Sequence, residues 1–435
     1  MLGLITYAGL LIALAIATML RPAIAVAGVL CLFGIKQWGQ SSTAVFAAHP
    51  LVTNLVIGVL VLVGIARRAV KQSCVFCQFP LSAWLVAAIY GYAFITTLWA
   101  PDSQSSLAEW VRLGPYIVTV TVLAPLLLSD LADIRIAFQW TVYVGGAVCL
   151  LALVFGKWGF RGLLLNGDLY ETETNPLALA SLGGVVLLAA ATLMLQKKHL
   201  VLKIINIACI PLALAVILKS GSRGQLLATG PAFVVAWLIA FRLKNVGSVA
   251  ALLLTACFVV GIGVWAATIV EVDSSRWASN QTHEDVAGRL AMAQTLLGAA
   301  FASPGTILFG IGNSSSFQIL GIYPHITILE VIAEEGLIGT TLYLAVLAIA
   351  LRSIIRIARS LADDETARST LAILASLFCF ELILTWKQGS LLSSYYVFAY
   401  TIILGRMETP AAVKVSIERV TSPVAGLRLF PNLMR

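Results

Sequence analysis

The sequence predicts an all-α, polytopic membrane protein of about twelve transmembrane helices with one larger extramembrane loop. Hydrophobic residues make up 60% of the 435 residues and charged residues only 11%, whereas charged residues form about a quarter of a typical soluble domain. The mean hydropathy is +0.96. Apolar runs of roughly 17–25 residues, long enough to cross a bilayer as helices, recur along the chain. Backbone groups in lipid must be satisfied within their own segment, so these runs are predicted to be helices.

The apolar runs divide the chain into spans. They predict spans near 51–66, 79–99, 113–128, 136–155, 176–195, 200–218, 225–241, 246–270, 326–350, 369–386 and 393–405. Two further runs, 2–20 and 22–35, are separated by Arg21 and Pro22. Proline removes a backbone donor and interrupts a helix. We expect one interrupted span here, which gives twelve spans and a cytoplasmic N-terminus; two full spans would give thirteen.

The distribution of basic residues predicts the orientation. The basic connections 67–71, 196–203, 241–244 and 352–368 and the tail after Gly405 fall on one side when the spans alternate, and cytoplasmic loops carry such an excess. We therefore expect transmembrane helices in 1–270, a loop on the side opposite the cytoplasm in 271–325 (periplasmic in a bacterial inner membrane), transmembrane helices in 326–405 and a basic cytoplasmic tail in 406–435. The net charge of +8 is mostly explained by topology, so no nucleic-acid partner is expected.

A minority of the cations lie on the outward side, against this bias. They are nine of the 28 Lys and Arg residues: Lys36, Arg112, Lys157, Arg161, Lys219, Arg223, Arg276, Arg289 and Lys387. A guanidinium group is planar, always charged and able to bind a phosphate through two hydrogen bonds. The alternative for each side chain is that it extends to lipid phosphates at the interface. Convergence of several on one face would favour an anion site.

His325 is the candidate base. It stands where the outward loop returns to the membrane, at the N-terminus of the predicted span 326–350. The helix dipole there disfavours imidazolium and keeps the ring neutral. A neutral imidazole can take a proton from a hydroxyl group. The alternative is a capping or interfacial histidine.

Several carboxylates need partners. Glu330, Glu334 and Glu335 lie in the predicted span 326–350, where carboxylates mark functional sites or pair with arginines of neighbouring spans. For Glu381 we expect a structural ion pair with Lys387. The outward acids, which are Asp168, Glu171 and Glu173, could bind a divalent cation, but a solvated loop is the simpler interpretation and no metal site is predicted.

Three segments carry a family resemblance. They are SGSRG (220–224), AGRLAMA (287–293) and the stretch GIGNSSSF followed by YPHITILEVIAEEGLIG (310–339). Together they resemble the O-antigen ligase and polymerase superfamily of bacterial membrane glycosyltransferases. The family often has asparagine directly after the histidine, whereas this chain has Ile326.

The resemblance implies a GT-C-like glycosyltransferase in the bacterial inner membrane with its active site facing the periplasm. The donor would be a glycan linked to undecaprenyl pyrophosphate, and transfer would need no nucleotide sugar, metal or cofactor. The matching residues are Arg161, Arg223 and Arg289 on the pyrophosphate and His325 near the acceptor hydroxyl, with Lys387 as a further phosphate contact. Direct attack on the anomeric carbon implies inversion.

The members of this superfamily differ in acceptor. A ligase transfers the glycan to the lipid A-core, a polymerase extends the growing chain, and a third branch glycosylates pilin-like proteins. One outward loop of about 55 residues, rather than two sizeable ones, favours the ligase. The competing class is a transporter or lipid flippase, which would place ionisable groups near the midplane within two related halves. Here the ionisable groups crowd the outward ends and the two halves do not correspond.

Overall fold

A computed structural model describes residues 2–71, 79–160, 162–166, 172–194, 200–241, 250, 261, 279–361 and 364–408. Its helices are α1 (Leu2–Leu20), α2 (Ala25–Ser42), α3 (Ala44–Ala48), α4 (Leu51–Lys71), α5 (Leu81–Thr96), α6 (Ser103–Tyr116), α7 (Ala124–Leu126), α8 (Leu131–Phe155), α9 (Pro176–Leu193), α10 (Leu200–Lys219), α11 (Arg223–Ala240), α12 (Ser279–Ala300), α13 (Pro304–Phe309), α14 (Ser315–Leu320), α15 (Thr327–Glu334), α16 (Gly336–Ser360), α17 (Glu365–Gln388) and α18 (Tyr395–Met407). A π-helical stretch, Ile117–Leu123, joins α6 to α7.

The chain is an all-α polytopic membrane protein, as predicted. Within the described ranges, 11 helical segments are long and apolar enough to cross a bilayer. The predicted span 246–270 lies outside the described residues except for positions 250 and 261. The last predicted span corresponds to α18, which has 13 residues and is almost entirely buried among other helices. At 1.5 Å per residue it is shorter than a bilayer is thick.

The prediction of one interrupted span at the N-terminus is wrong. Residues Gly3–Leu20 and Pro22–Ser42 are two separate spans, and a short 3-10 turn, Pro22–Ile24, joins them. They form an antiparallel hairpin, because Gly3 lies against Ser42 and Gly39 lies against Tyr7. Both runs are long enough to cross, so Arg21–Pro22 reverses the chain instead of kinking one helix.

Three helices form the centre of the bundle. The apolar windows of α2, α9 and α17 are 78%, 72% and 72% buried, against 22% for α1. Small residues allow the helices to pack closely: Gly184 of α9 lies against the ring of Phe380, and Gly145 of α8 lies against Val186. α17 therefore runs through the middle of the protein and carries its last residues to the candidate site.

The contacts at each end of the bundle agree with the alternation of spans. The opposite end, defined by the ends of α4, α11 and α16, includes several arginines that bind fixed partners. Arg356 donates to Glu408 over 2.6 Å, and Arg368 donates to the Ala240 carbonyl over 2.7 Å. The loop end, defined by α12–α15 and the connections before α6, α9, α11 and α18, carries the predicted site.

The predicted span 326–350 is two helices rather than one. The short helix α15 ends at Glu334, and the membrane-length helix α16 begins at Gly336. Gly336 has a φ of 62°, a left-handed value that glycine adopts readily and that ends a helix. The extramembrane segment therefore continues to residue 335, and His325 precedes α15 instead of a span.

The N-terminal hairpin predicts a cross-link. In Gly3→Cys/Ser42→Cys, oxidation should join the two cysteines, because their β-carbons are adjacent only when α1 and α2 are antiparallel. Peptide mapping of the oxidised protein reports the linked pair. A single interrupted span would place the two positions on opposite faces of the membrane, and the linked peptide would then be absent.

Candidate functional site

The segment between α13 and α16 folds as one unit around three glycines. Gly310, Gly312 and Gly336 have φ values of 81°, 100° and 62°. Any Cβ on Gly312 would come within 2.7 Å of the Ala100 nitrogen, and any Cβ on Gly336 within 2.7 Å of the Leu308 carbonyl oxygen. Close approach of neighbouring backbone therefore requires glycine at both positions of the GIGN sequence and at Gly336, which follows the two glutamates.

Two buried carboxylates hold this unit together. Glu334 accepts hydrogen bonds from the amides of Ser314 (2.6 Å) and Ser316 (2.9 Å), at the start of α14. Glu335 accepts from Asn313 Nδ2 over 2.9 Å and from Thr96 Oγ1 over 3.2 Å. Burial raises the pKa of both carboxyl groups.

Arginine pairing, which the sequence suggested for these acids, does not occur in the described part of the chain. Glu330 instead accepts a hydrogen bond from the Leu391 amide over 2.9 Å, and so ties α15 to the turn between α17 and α18. Glu334 and Glu335 bind the loop itself. These three carboxylates position the backbone around His325.

His325 lies on the loop end, within electrostatic reach of Arg289. The residue is partly exposed, and its φ of 56° makes it one of two non-glycine residues with a left-handed backbone in the described ranges. Such conformations cost about 1–3 kcal/mol and cluster at functional sites. Partial burial of the ring and the positive charge of Arg289 lower the pKa of His325. The neutral form is favoured as the sequence predicts, but burial and Arg289 are the causes rather than the dipole of a span.

The helix α15 is fixed against the end of α17. Thr327, two residues after His325, donates a hydrogen bond to the Thr385 carbonyl over 2.8 Å. Thr385 is two residues before Lys387. The side chain of α12 residue Leu296 and those of Leu329 and Ala333 on α15 form a small apolar cluster on the other side. α15 therefore contacts both α12, which carries Arg289, and α17, which carries Lys387.

Lys387 packs against the N-terminus of α11, the helix that begins with Arg223. The Lys387 ammonium lies against Gly224, the residue directly after Arg223. Arg223 is the first residue of α11, whose N-cap is Ser222. Helix N-termini attract anions through their free amides and the helix dipole. The N-terminus of α11, Arg223 and Lys387 form what we call the cationic notch.

The remaining predicted residues are placed less completely. Arg161 lies outside the described residues, as do Asp168 and Glu171 of the alternative metal cluster. Glu173, the third acid of that cluster, accepts hydrogen bonds from the amides of Phe160 and Gly162. No group of three or more potential metal ligands occurs among the described residues.

The expected ion pair between Glu381 and Lys387 is wrong. Lys387 turns to Gly224, while Glu381, almost two helical turns earlier on α17, lines a cavity of about 270 Å³ together with Tyr395, Tyr396 and Tyr400. Among the described residues no salt bridge joins Glu381 to Lys387. The two groups face different parts of the loop end.

Sequence reasoning missed the partners of the loop. Tyr323 donates to Glu109, which also accepts two hydrogen bonds from Arg112 (2.6 and 2.8 Å). These residues line a cleft of about 750 Å³ with Phe317 and Gln318. Glu109 and Tyr323 are 214 residues apart, so no local pattern pairs them. The adjacent acids Glu334 and Glu335, directly before Gly336, are the sequence feature that could have indicated how this loop is held.

No protein-family model matches the chain, and no curated protein gives a significant match. The geometry of the loop end therefore carries the functional argument.

The glycine at the start of α16 predicts an unequal effect of alanine. Gly336→Ala combines a strained φ with a clash against Leu308 and Gly310, whereas Gly321, with a φ of 72°, has no atom within 4 Å of an added Cβ. Left-handed strain alone costs about 1–2 kcal/mol. Gly336→Ala should lower the thermal unfolding midpoint clearly more than Gly321→Ala does. Equal midpoints would contradict the packing described for this loop.

Proposed function

We propose that this protein is a membrane glycosyltransferase that moves O-antigen glycan from undecaprenyl pyrophosphate to the lipid A-core of lipopolysaccharide. The loop end would face the periplasm and the basic opposite end the cytoplasm of a bacterial inner membrane. The motif resemblance described above supports the substrate class. The observation that carries the proposal is the joining of the cationic notch, through Thr385 and Thr327, to the loop that carries His325.

The cationic notch suits a lipid-linked pyrophosphate. A guanidinium group and an ammonium group beside a helix N-terminus provide charge-assisted donors for several phosphate oxygens. The notch lies at the loop-end termini of α11 and α17. A polyprenyl lipid whose tail lies in the bilayer would present its head group at that level. Arg289, next to His325, adds positive charge on the acceptor side.

The reaction that fits is a single displacement. His325 takes the proton from the acceptor hydroxyl, and the oxygen of that hydroxyl bonds to the anomeric carbon of the donor sugar. The bond from this carbon to the pyrophosphate oxygen breaks, and undecaprenyl pyrophosphate leaves with the electron pair. Arg223 and Lys387 stabilise the charge that develops on the leaving group. Attack opposite the leaving group inverts the anomeric carbon, and no step requires a metal.

A second candidate function is transport. Glu381 is a carboxylate within a membrane span that lines a cavity, and intramembrane carboxylates occur in ion-coupled transporters. Polymerisation of O-antigen and glycosylation of a protein would use the same notch and base with another acceptor. Activity in detergent separates transfer from transport, since a transporter needs a sealed compartment.

The proposal predicts transfer by the purified protein in detergent. Wild type should join a glycan carried on undecaprenyl pyrophosphate to rough lipopolysaccharide, and His325→Ala should abolish transfer while donor binding survives. Arg223→Lys should lose most activity, because ammonium cannot bind two oxygens in the guanidinium geometry. Mass spectrometry of the product measures transfer. Lengthening of the glycan without acceptor would indicate a polymerase, and retained turnover in His325→Ala would remove its role as base.

The pKa of His325 predicts the pH dependence. Its pKa is lowered, so the neutral base is populated from below pH 6.5, the ordinary value, and activity should fall only on acidification beyond that point. Arg289→Gln removes a positive charge that disfavours imidazolium, so the acid limb of kcat/KM should move to higher pH. Arg112→Gln is the control: it also removes one positive charge, but from an arginine that is paired with Glu109. This variant should leave the acid limb where it is in wild type. An unmoved limb in Arg289→Gln would contradict the electrostatic coupling.

A further inference from the structure

A cavity of about 270 Å³ opens beneath the cationic notch, between α2, α9, α17 and α18. Asn175 and Gln388 line it at the level of the helix ends, and Glu381 and Tyr400 line it deeper in the bundle. Glu381 precedes Gln388 by seven residues, which is about 10 Å along a helix. The cavity therefore reaches from the loop end into the membrane-embedded part of the protein.

Two polar groups of the cavity lack protein partners. The Tyr400 hydroxyl is buried without a hydrogen-bond partner. Within the described ranges, no hydrogen bond or salt bridge involves the Glu381 carboxylate. Polar groups inside a protein are normally satisfied by protein, water or ligand. The Tyr400 hydroxyl has almost no accessible surface, whereas Glu381 is partly accessible and lines the cavity. The Glu381 carboxylate therefore points to a polar occupant.

The walls indicate an organic occupant rather than an ion. Phe33 and Tyr395 both line the cavity, and their rings stack at 6.4 Å between centroids. Leucines complete the apolar surface, and a few placed polar groups within apolar walls are typical of small-molecule sites. A bare divalent cation would instead need about six or more close oxygen ligands. The volume corresponds to about nine waters at roughly 30 Å³ each, which suits one sugar ring.

A pyranose ring matches these features chemically. Its C–H faces carry partial positive charge and pack on aromatic rings, whose faces are negative. Its vicinal hydroxyls donate to a carboxylate through two hydrogen bonds. Gln388, whose side-chain oxygen accepts from Gln225 over 3.2 Å, has its amide nitrogen left to meet a further hydroxyl at the mouth of the cavity.

We propose that this cavity is a sugar subsite, in which Glu381 accepts hydrogen bonds from adjacent hydroxyls of one pyranose. The assignment of its ligand as a glycan rests on the proposed function. The subsite adjoins the cationic notch, because Gln388 follows Lys387 and Gln225 lies two residues after Arg223. The ring bound there is either the donor sugar attached to pyrophosphate or the acceptor sugar.

Binding without turnover tests the subsite. Calorimetry in detergent would use three probes: undecaprenyl pyrophosphate, the same lipid carrying one N-acetylglucosamine, and rough lipopolysaccharide. Glu381→Gln should weaken binding of the sugar-bearing probe by about 10-fold or more. Tyr400→Phe should change it by less than about 2-fold, because the Tyr400 hydroxyl has almost no accessible surface. Bare undecaprenyl pyrophosphate should bind all variants alike. Tyr90→Phe is the matched control, since Tyr90 is a buried tyrosine that does not line the cavity.

The outcomes separate the two sources of sugar. Weaker binding of the lipid-linked N-acetylglucosamine alone assigns the subsite to the donor, and weaker binding of lipopolysaccharide alone assigns it to the acceptor. Unchanged affinity for both probes in Glu381→Gln overturns the proposal. Uptake of solute into liposomes driven by a proton or sodium gradient, and lost in Glu381→Gln, also overturns it. Failure of wild type to transfer glycan would count against the enzyme proposal, while these affinities would still report on the subsite.

Discussion

The hydrogen bonds from the Ser314 and Ser316 amides to Glu334 are the interaction on which the candidate site depends. They attach the loop after α13 to the break between α15 and α16, and that break sets where α15 ends. His325 takes its position from α15, which Glu330 and Thr327 fix against α17 and its following turn. A buried carboxylate that organises backbone amides is costly to replace, because each orphaned amide in a buried loop must find another acceptor.

The two ends of the bundle use their charges differently. At the opposite end, Arg68, Arg356 and Arg368 bind carbonyl oxygens or carboxylates of neighbouring helices and so fix the helix ends. At the loop end, Arg223 and Lys387 adjoin a helix N-terminus, and Arg289 acts on His325 through its charge. A helix N-terminus and cationic groups beside it favour an anionic ligand. A lipid-linked pyrophosphate is an anion that would approach from the bilayer.

Periodicity and length predicted most of the helices, because an apolar run in a bilayer has few alternatives to a helix. They did not distinguish one interrupted N-terminal span from a hairpin at Arg21–Pro22, since proline is compatible with both a kink and a turn. The division of 326–350 at Glu335–Gly336 depended on a close approach to Gly310, which is a long-range contact. The cationic notch could be anticipated as residue types, whereas the meeting of Lys387 with Gly224 and the tyrosine cavity around Glu381 required the packing of α17.

The most direct test of the account is photolabelling with undecaprenyl pyrophosphate that carries a diazirine beside its phosphates. The loop end is predicted to hold the head group, so labelled peptides should come from residues 221–225, 323–328 and 385–389. Excess unlabelled lipid should suppress this labelling, and Arg223→Lys should reduce it. Labelling concentrated at residues 67–71 or 352–361 would place the head group at the opposite end and contradict the account.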